Sequence, residues 1–140
     1  MDQFSRTRLL LGQEGMDRLK NSRVALFGVG GVGGYTFEAL VRSGVGTVDI
    51  FDGDSVDLTN LNRQIIATRE TVGRRKVEAA RERALSINPE CRVNAFDMFF
   101  LPENSGEVDF SVYDHHILFA SSILQRTALY FSCQAQSTRN

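Results

Sequence analysis

Tryptophan is absent, and cysteine, proline, histidine and lysine are each held to two copies in 140 residues. Cys91 and Cys133 stand 42 positions apart, with no CxxC or Cys/His spacing. That excludes a disulfide framework and a structural zinc site. His115 and His116 are adjacent, so on a strand they would face opposite sides, and a structural role is the expectation for both. Neither sign of charge dominates: 16 Lys+Arg face 17 Asp+Glu, for a net charge of −1. Whole-protein attraction to nucleic acid or to an anionic membrane is therefore not expected. The longest apolar run near the N-terminus, Leu9-Leu10-Leu11, is far too short for a signal peptide. Nothing approaches the run of about 18 apolar residues that a membrane span needs, so no membrane association is expected and the cytoplasm is the expected compartment.

What is present is ordinary for one globular domain: 42% hydrophobic, 24% charged and 12 Gly. The distribution is less ordinary. The last acidic residue is Asp114, and the 26 residues after it carry Arg126 and Arg139 as their charges. Counted by position, 17 acids and 14 bases give −3 over residues 1–114, and the tail carries +2.

Periodicity supplies the elements. A helix is expected over residues 4–20, weakened by Gly12 and Gly15. Arg23–Val29 is a short apolar run ending in glycines, the pattern of a strand buried on both faces. A helix over Gly31–Ser43 follows, closed by Gly44, then a strand over Thr47–Asp52. Gly73–Asn88 is the clearest helix, with Val77, Ala80, Ala84 and Ile87 on one stripe and Pro89 stopping it. Strands are expected over Arg92–Asp97 and His116–Ala120. Strand and helix alternate with crossovers too long for hairpins, which predicts an α/β fold: a Rossmann-like, mostly parallel sheet with helices on both faces.

Between the first strand and its helix, Gly28, Gly30 and Gly33 fit GxGxxG. The first permits a tight turn, the second lets backbone approach a phosphate, and the third lets helix and strand pack closely. The helix N-terminus then offers N–H groups and a positive dipole end to an anion. Asp52, 19 residues past Gly33, ends the second strand, where a carboxylate can accept from ribose hydroxyls. Nucleotide binding follows, with NAD and ATP not yet separated. A Walker loop is excluded, because no GxxxxGK[ST] occurs.

The segment after Asp52 separates them. It reads Gly53-Asp54-Ser-Val-Asp57-Leu-Thr59-Asn60-Leu-Asn62-Arg63-Gln64, and Lys76 follows at the start of the amphipathic helix. Amides and cations of this kind can stabilise the charge of a leaving pyrophosphate, which a dehydrogenase does not need. A plain polar loop and a solvated helix start would have the same composition. Arg74, Arg75, Arg81 and Arg83 form a basic stretch interrupted by Glu78 and Glu82, which reads as a solvated face.

Gly28–Gly34, IFDGDSVDLTNLNRQ and Gly73-Arg-Arg-Lys76 followed by INPE together resemble the E1-like adenylating family. RSGVG, TNLNRQ, INPEC and FSRTRLLLG are most similar to its branch that dehydrates threonylcarbamoyladenosine in tRNA. The resemblance covers roughly residues 4–114. It implies ATP as the nucleotide, with Asp52 on the ribose and Gly31 and its neighbours meeting the nucleotide through backbone. It implies further that Asn60, Arg63 and Lys76 gather the triphosphate, with Asn62 and Gln64 shaping the same wall. Arg6 would reach the other subunit's site in a homodimer, with Arg8 able to substitute. The implied chemistry is adenylation of a carboxylate, with tRNA as substrate; which sulfur-transfer or modification-pathway partners it has is left open. Cys91 is expected to be a buried thiol rather than a thioester cysteine.

The resemblance also implies a carboxylate after the strand that follows Asp114, one that helps hold Mg²⁺. Ser121 or Ser122 stands there instead, and a neutral hydroxyl is a poor ligand for a hard cation. The expectation is an N-terminal part of a nucleotide-binding domain over 1–114 and a divergent tail over 115–140, one strand plus a helix carrying Leu124, Leu129, Tyr130 and Phe131. A frameshift or truncation near Asp114 would account for the change, leaving the sheet incomplete on that side. Two alternative functions follow: a catalytically incomplete nucleotide-binding or dimerising fragment, and an NAD-dependent oxidoreductase.

Overall fold

The strands are short, the first two are almost wholly buried and the last two more exposed, and the computed structural model places all four in one parallel sheet. It describes residues 1–119. The expected tail helix, Ser121 and Ser122, and Cys133 lie outside the described residues. The elements are α1 (Ser5–Asn21), β1 (Arg23–Phe27), α2 (Gly31–Ser43), β2 (Thr47–Phe51), α3 (Lys76–Ile87), β3 (Arg92–Phe96) and β4 (His115–Leu118). The strand order is β3-β2-β1-β4. Leu26 pairs in register with Ile50 on one side and Ile117 on the other. The parallel α/β class expected from the alternation is the one observed.

Alternation within the strands sorts their side chains into two cores. Val24, Leu26, Val48 and Ile50 face α2 and α3, where they join Phe37, Val41, Val77, Ala80 and Ala84. Ala25, Phe27 and Phe51 face the other way, onto Phe100, Val108 and Phe110. Each large apolar side chain buried in this way stabilises the fold by about 2 kcal/mol. On the second face the rings of Phe27, Phe51 and Phe96 stack across three strands with centroids 4.6 Å apart at each step. Among the described residues that face is covered by the crossover 97–114, whose turns at Pro102–Glu107 and Phe110–Val112 are 3-10 helices.

Several boundaries differ from the expectations, and β1, β2 and β3 stop one or two residues early, at Phe27, Phe51 and Phe96. α1 is broken at Gly12 (φ 70°, ψ 174°), a conformation open to glycine, so the 4–20 helix is two pieces. Leu9 and Leu10 on the first piece are exposed. α3 starts at Lys76 rather than Gly73, because Gly73 (φ 85°) turns the chain left-handed and the backbone of 73–76 bonds to 54–56 instead. β4 starts one residue earlier than expected and ends at Leu118.

Candidate functional site

The sheet order turns between β1 and β4, since the chain leaves β1 towards β2 and later returns on the opposite side. Open parallel sheets bind ligands at the carboxyl ends of strands beside such a switch. A cleft of about 400 Å³ lies there. It is lined by Gly28, Gly30, Gly31, Asp52, Asp54, Asn60, Arg63, Gln64 and Lys76 on its polar side. Phe27, Phe51, Phe99, Phe100 and Phe119 form the apolar side.

The glycine loop is shaped by close approaches. Gly28 takes φ 97°, and a Cβ on it would sit 2.7 Å from the Phe119 carbonyl oxygen. A Cβ on Gly33 would sit 2.0 Å from the Gly28 carbonyl oxygen. Gly33 is therefore a packing residue under the loop and does not line the cleft. Gly30 precedes α2 with no side-chain cap, so the N–H groups of the first turn keep their capacity for an anion.

Asp52, 8% exposed, secures the loop from below. One carboxylate oxygen accepts from Val29 N–H at 3.0 Å and the other from Asp54 N–H at 2.9 Å. An ionised carboxylate has lone pairs beyond these two. Lys76 is 6% exposed, and its ammonium lies 3.6 Å from the Asp54 carboxylate. Burial of an ammonium requires such a partner.

The TNLNRQ segment forms a 3-10 turn at Leu58–Asn62, closed by a reciprocal cap. Asp57 accepts from Thr59 N–H at 2.8 Å and from the Thr59 hydroxyl at 2.6 Å, while Asn60 Oδ1 accepts from Asp57 N–H at 2.9 Å. The bonds to Thr59 hold the Asp57 carboxyl below its usual range. With its oxygen committed, buried Asn60 has its amide N–H₂ left to donate. Asn62 does not line the cleft; it accepts from Arg63 at 2.9 Å, and the Thr59 carbonyl accepts from the same guanidinium at 3.2 Å. Asn62 thus orients Arg63. Gln64 is buried with Oε1 lacking a hydrogen-bond partner and Nε2 facing Gly30. Such an orphan is costly unless a ligand or water meets it.

Arg6 stands exposed on α1 and does not line the cleft. The basic stretch is mostly neutralised: Arg74 pairs with Glu82, Arg75 with Asp97, and Arg83 with Glu38. Cys91 is buried, and burial pushes its thiol up to about 11, so it is no nucleophile at neutral pH. For Mg²⁺, the described residues contain no cluster of three or more His, Cys, Asp or Glu side chains. Asp54 and the engaged Asp52 do not make such a site by themselves. No described helix is long and apolar enough to cross a membrane.

Sequence reasoning missed the aromatic side of the cleft. Phe99 lies so close over Gly53 that a Cβ there would sit 2.6 Å from its ring. The run Phe96-Asp-Met-Phe-Phe100, too aromatic for a solvated loop, was the available signal.

The chain matches the model of the ThiF family over residues 4–138, past the Asp114 limit expected from the motifs. It is 52% identical over 103 residues to the tRNA threonylcarbamoyladenosine dehydratase of Bacillus subtilis, covering 74% of this chain and 41% of that protein. It is 37% identical over 110 residues to the sulfur carrier protein adenylyltransferase of Thermus thermophilus, covering 77% and 41%. The solved structure of E. coli tRNA N6-threonylcarbamoyladenosine dehydratase in complex with ATP superposes with a TM-score of 0.92 at 38% identity, covering 96% of this chain and 56% of that one. The chain thus spans about half the length of the relatives it matches. None of these three is an oxidoreductase. With the family model matched over nearly the whole chain and relatives more than 30% identical over most of it, the chain belongs to the ThiF family.

Proposed function

We propose that this chain is the ATP-binding part of a carboxylate-adenylating enzyme, acting on the threonylcarbamoyl group of a tRNA adenosine. The observation that carries the reading is the convergence of the Gly28–Gly34 loop, Asn60, Arg63 and buried Lys76 on one cleft. Its donors suit a triphosphate, and its aromatic side suits a base. A homologous dehydratase has been solved with ATP.

The reaction needs no side-chain nucleophile. A carboxylate oxygen attacks the α-phosphorus, an O–P bond forms, the bond to the β-phosphate oxygen breaks, and pyrophosphate leaves. Internal attack on the acyl carbon then closes a ring and expels AMP, which carries away the former carboxylate oxygen. Lys76, Arg63 and Asn60 stabilise the pyrophosphate, while Asp52 holds the ribose and fixes the loop. Arg6, away from its own cleft, is available to complete the site of a second copy in a homodimer.

ATP–pyrophosphate exchange with a threonylcarbamoyl-tRNA substrate tests this. Label should pass from pyrophosphate into ATP, and preference for NADH over ATP would defeat the reading. A second reading, a binding fragment without catalysis, is supported by the sequence after Asp114, which holds no Asp or Glu where the family resemblance implies a Mg²⁺-holding carboxylate. ATP binding without exchange would select it.

A further inference from the structure

Arg75 does not line the cleft, yet its guanidinium joins three segments that surround it. It forms a fork with the Asp97 carboxylate just past β3, with Nε donating at 2.8 Å. It also donates to the Gly53 carbonyl and, at 3.0 Å, to the Ser55 hydroxyl in the loop after β2. Its own backbone is the N-cap of α3, adjacent to Lys76. Here the main chains of the two segments are zipped together. Lys76 N–H donates to the Asp54 carbonyl at 3.0 Å, Val56 N–H to the Arg74 carbonyl at 2.8 Å, and Gly73 N–H to the Val56 carbonyl at 2.8 Å.

Asp97 belongs to the segment that carries Phe99 and Phe100 into the cleft. One guanidinium therefore fixes the aromatic side relative to the cation on the polar side. We propose that Arg75 is a positioning residue that sets the span between the base-facing wall at Phe99 and the phosphate-facing ammonium of Lys76.

The pair is 38% and 46% exposed, and ion pairs so exposed contribute little to stability. The geometry is where its effect lies. A planar fork with two further acceptors admits one arrangement, and a lysine cannot reproduce it. A ligand touching both walls gains when the walls are already ordered. A ligand touching one wall gains little. The idea rests on ATP being the ligand of the cleft.

The test compares wild type with Arg75→Lys and, from the other side of the fork, Asp97→Asn. Competition against a fluorescent ATP analogue gives the affinities of ATP, adenosine and tripolyphosphate. Both variants should bind ATP about tenfold more weakly. Adenosine and tripolyphosphate should each change by less than about twofold, with Tm nearly constant. Unchanged ATP affinity overturns the proposal, as does an equal loss for all three ligands, which would mark a merely structural role. Wild type that binds ATP without supporting exchange defeats the adenylation reading and leaves the span measurable.

Discussion

Asp49 and Asp52 lie three residues apart at β2, and both are buried, but their carboxylates are used in opposite ways. Asp49, fully buried, is satisfied by side chains. Arg23 and the Tyr113 hydroxyl each donate to one oxygen at 2.7 Å, and Asn94 donates to the other at 2.7 Å. Burial and the bond to Asp49 raise the Tyr113 hydroxyl above its usual range, so it stays a donor. Asp52 receives backbone N–H groups and fronts the cleft, close to Lys76 with its partial ion pair and to Gln64 with an unmet oxygen. The first network spends its hydrogen-bonding capacity on folding. The second keeps part of it for a ligand, which separates stability from binding between β2 and the residue that follows it.

The largest expected break of that contrast is Lys76→Met. It removes the buried cation of the open network while keeping most of the side-chain volume. ATP–pyrophosphate exchange should fall by about 10²–10³-fold, the usual cost of deleting one preorganised charge-stabilising donor. Urea unfolding should move little, because Asp54 regains solvent. A loss below tenfold would show that Lys76 is structural.

Asp49→Ala probes the closed network. It strands Arg23 beside the Tyr113 ring, whose centroid lies 5.2 Å from the guanidinium carbon, and leaves the Asn94 amide unmet. The expected cost is about 3 kcal/mol of stability, read from urea midpoints. At temperatures where the variant remains folded, ATP affinity should match wild type. Weakened ATP binding by a folded Asp49→Ala protein would mean that the two networks are coupled.

That Asp52, Asn60, Arg63 and Lys76 meet at one cleft was legible in the sequence, because each is a polar type at a spacing that a strand-loop-helix unit brings together. Asn62, expected to shape the same wall, lies off the cleft and bonds Arg63, since spacing cannot tell a residue that lines a cleft from one that orients its neighbour. The start of α3 was misplaced because helical periodicity in 73–76 is overridden by a left-handed Gly73 and long-range bonds to 54–56. The Phe99 wall and the Arg75–Asp97 fork stayed hidden for the same reason. Both join segments more than 20 residues apart, and no local pattern encodes their meeting. The pairing of Arg83 with Glu38, 45 residues away, shows how a run that looks basic becomes neutral on folding.

The smallest predicted effect sharpens the contrast with a third acid. Glu38 on α2 is nearly buried and belongs to the closed type: Arg83 of α3 donates at 2.5 Å and Arg42 at 2.9 Å. The bond from Arg83, then that from Arg42, holds its carboxyl below the ordinary 4.5, against the opposing effect of burial. A folded-state value below the unfolded one means that stability is present above the unfolded value. It is lost as pH falls through the folded one. Urea stability of wild type should therefore decline from about pH 5 downward, with other lowered carboxyls such as Asp97 adding to the slope. Glu38→Gln should be less stable than wild type at pH 7, and the difference between the two proteins should shrink as pH drops. ATP affinity at pH 7 should be the same for both, because α2 and α3 join here on the face away from the aromatic wall. Parallel curves across that window would remove Glu38 from the closed class and leave its two arginines as surface contacts of little consequence.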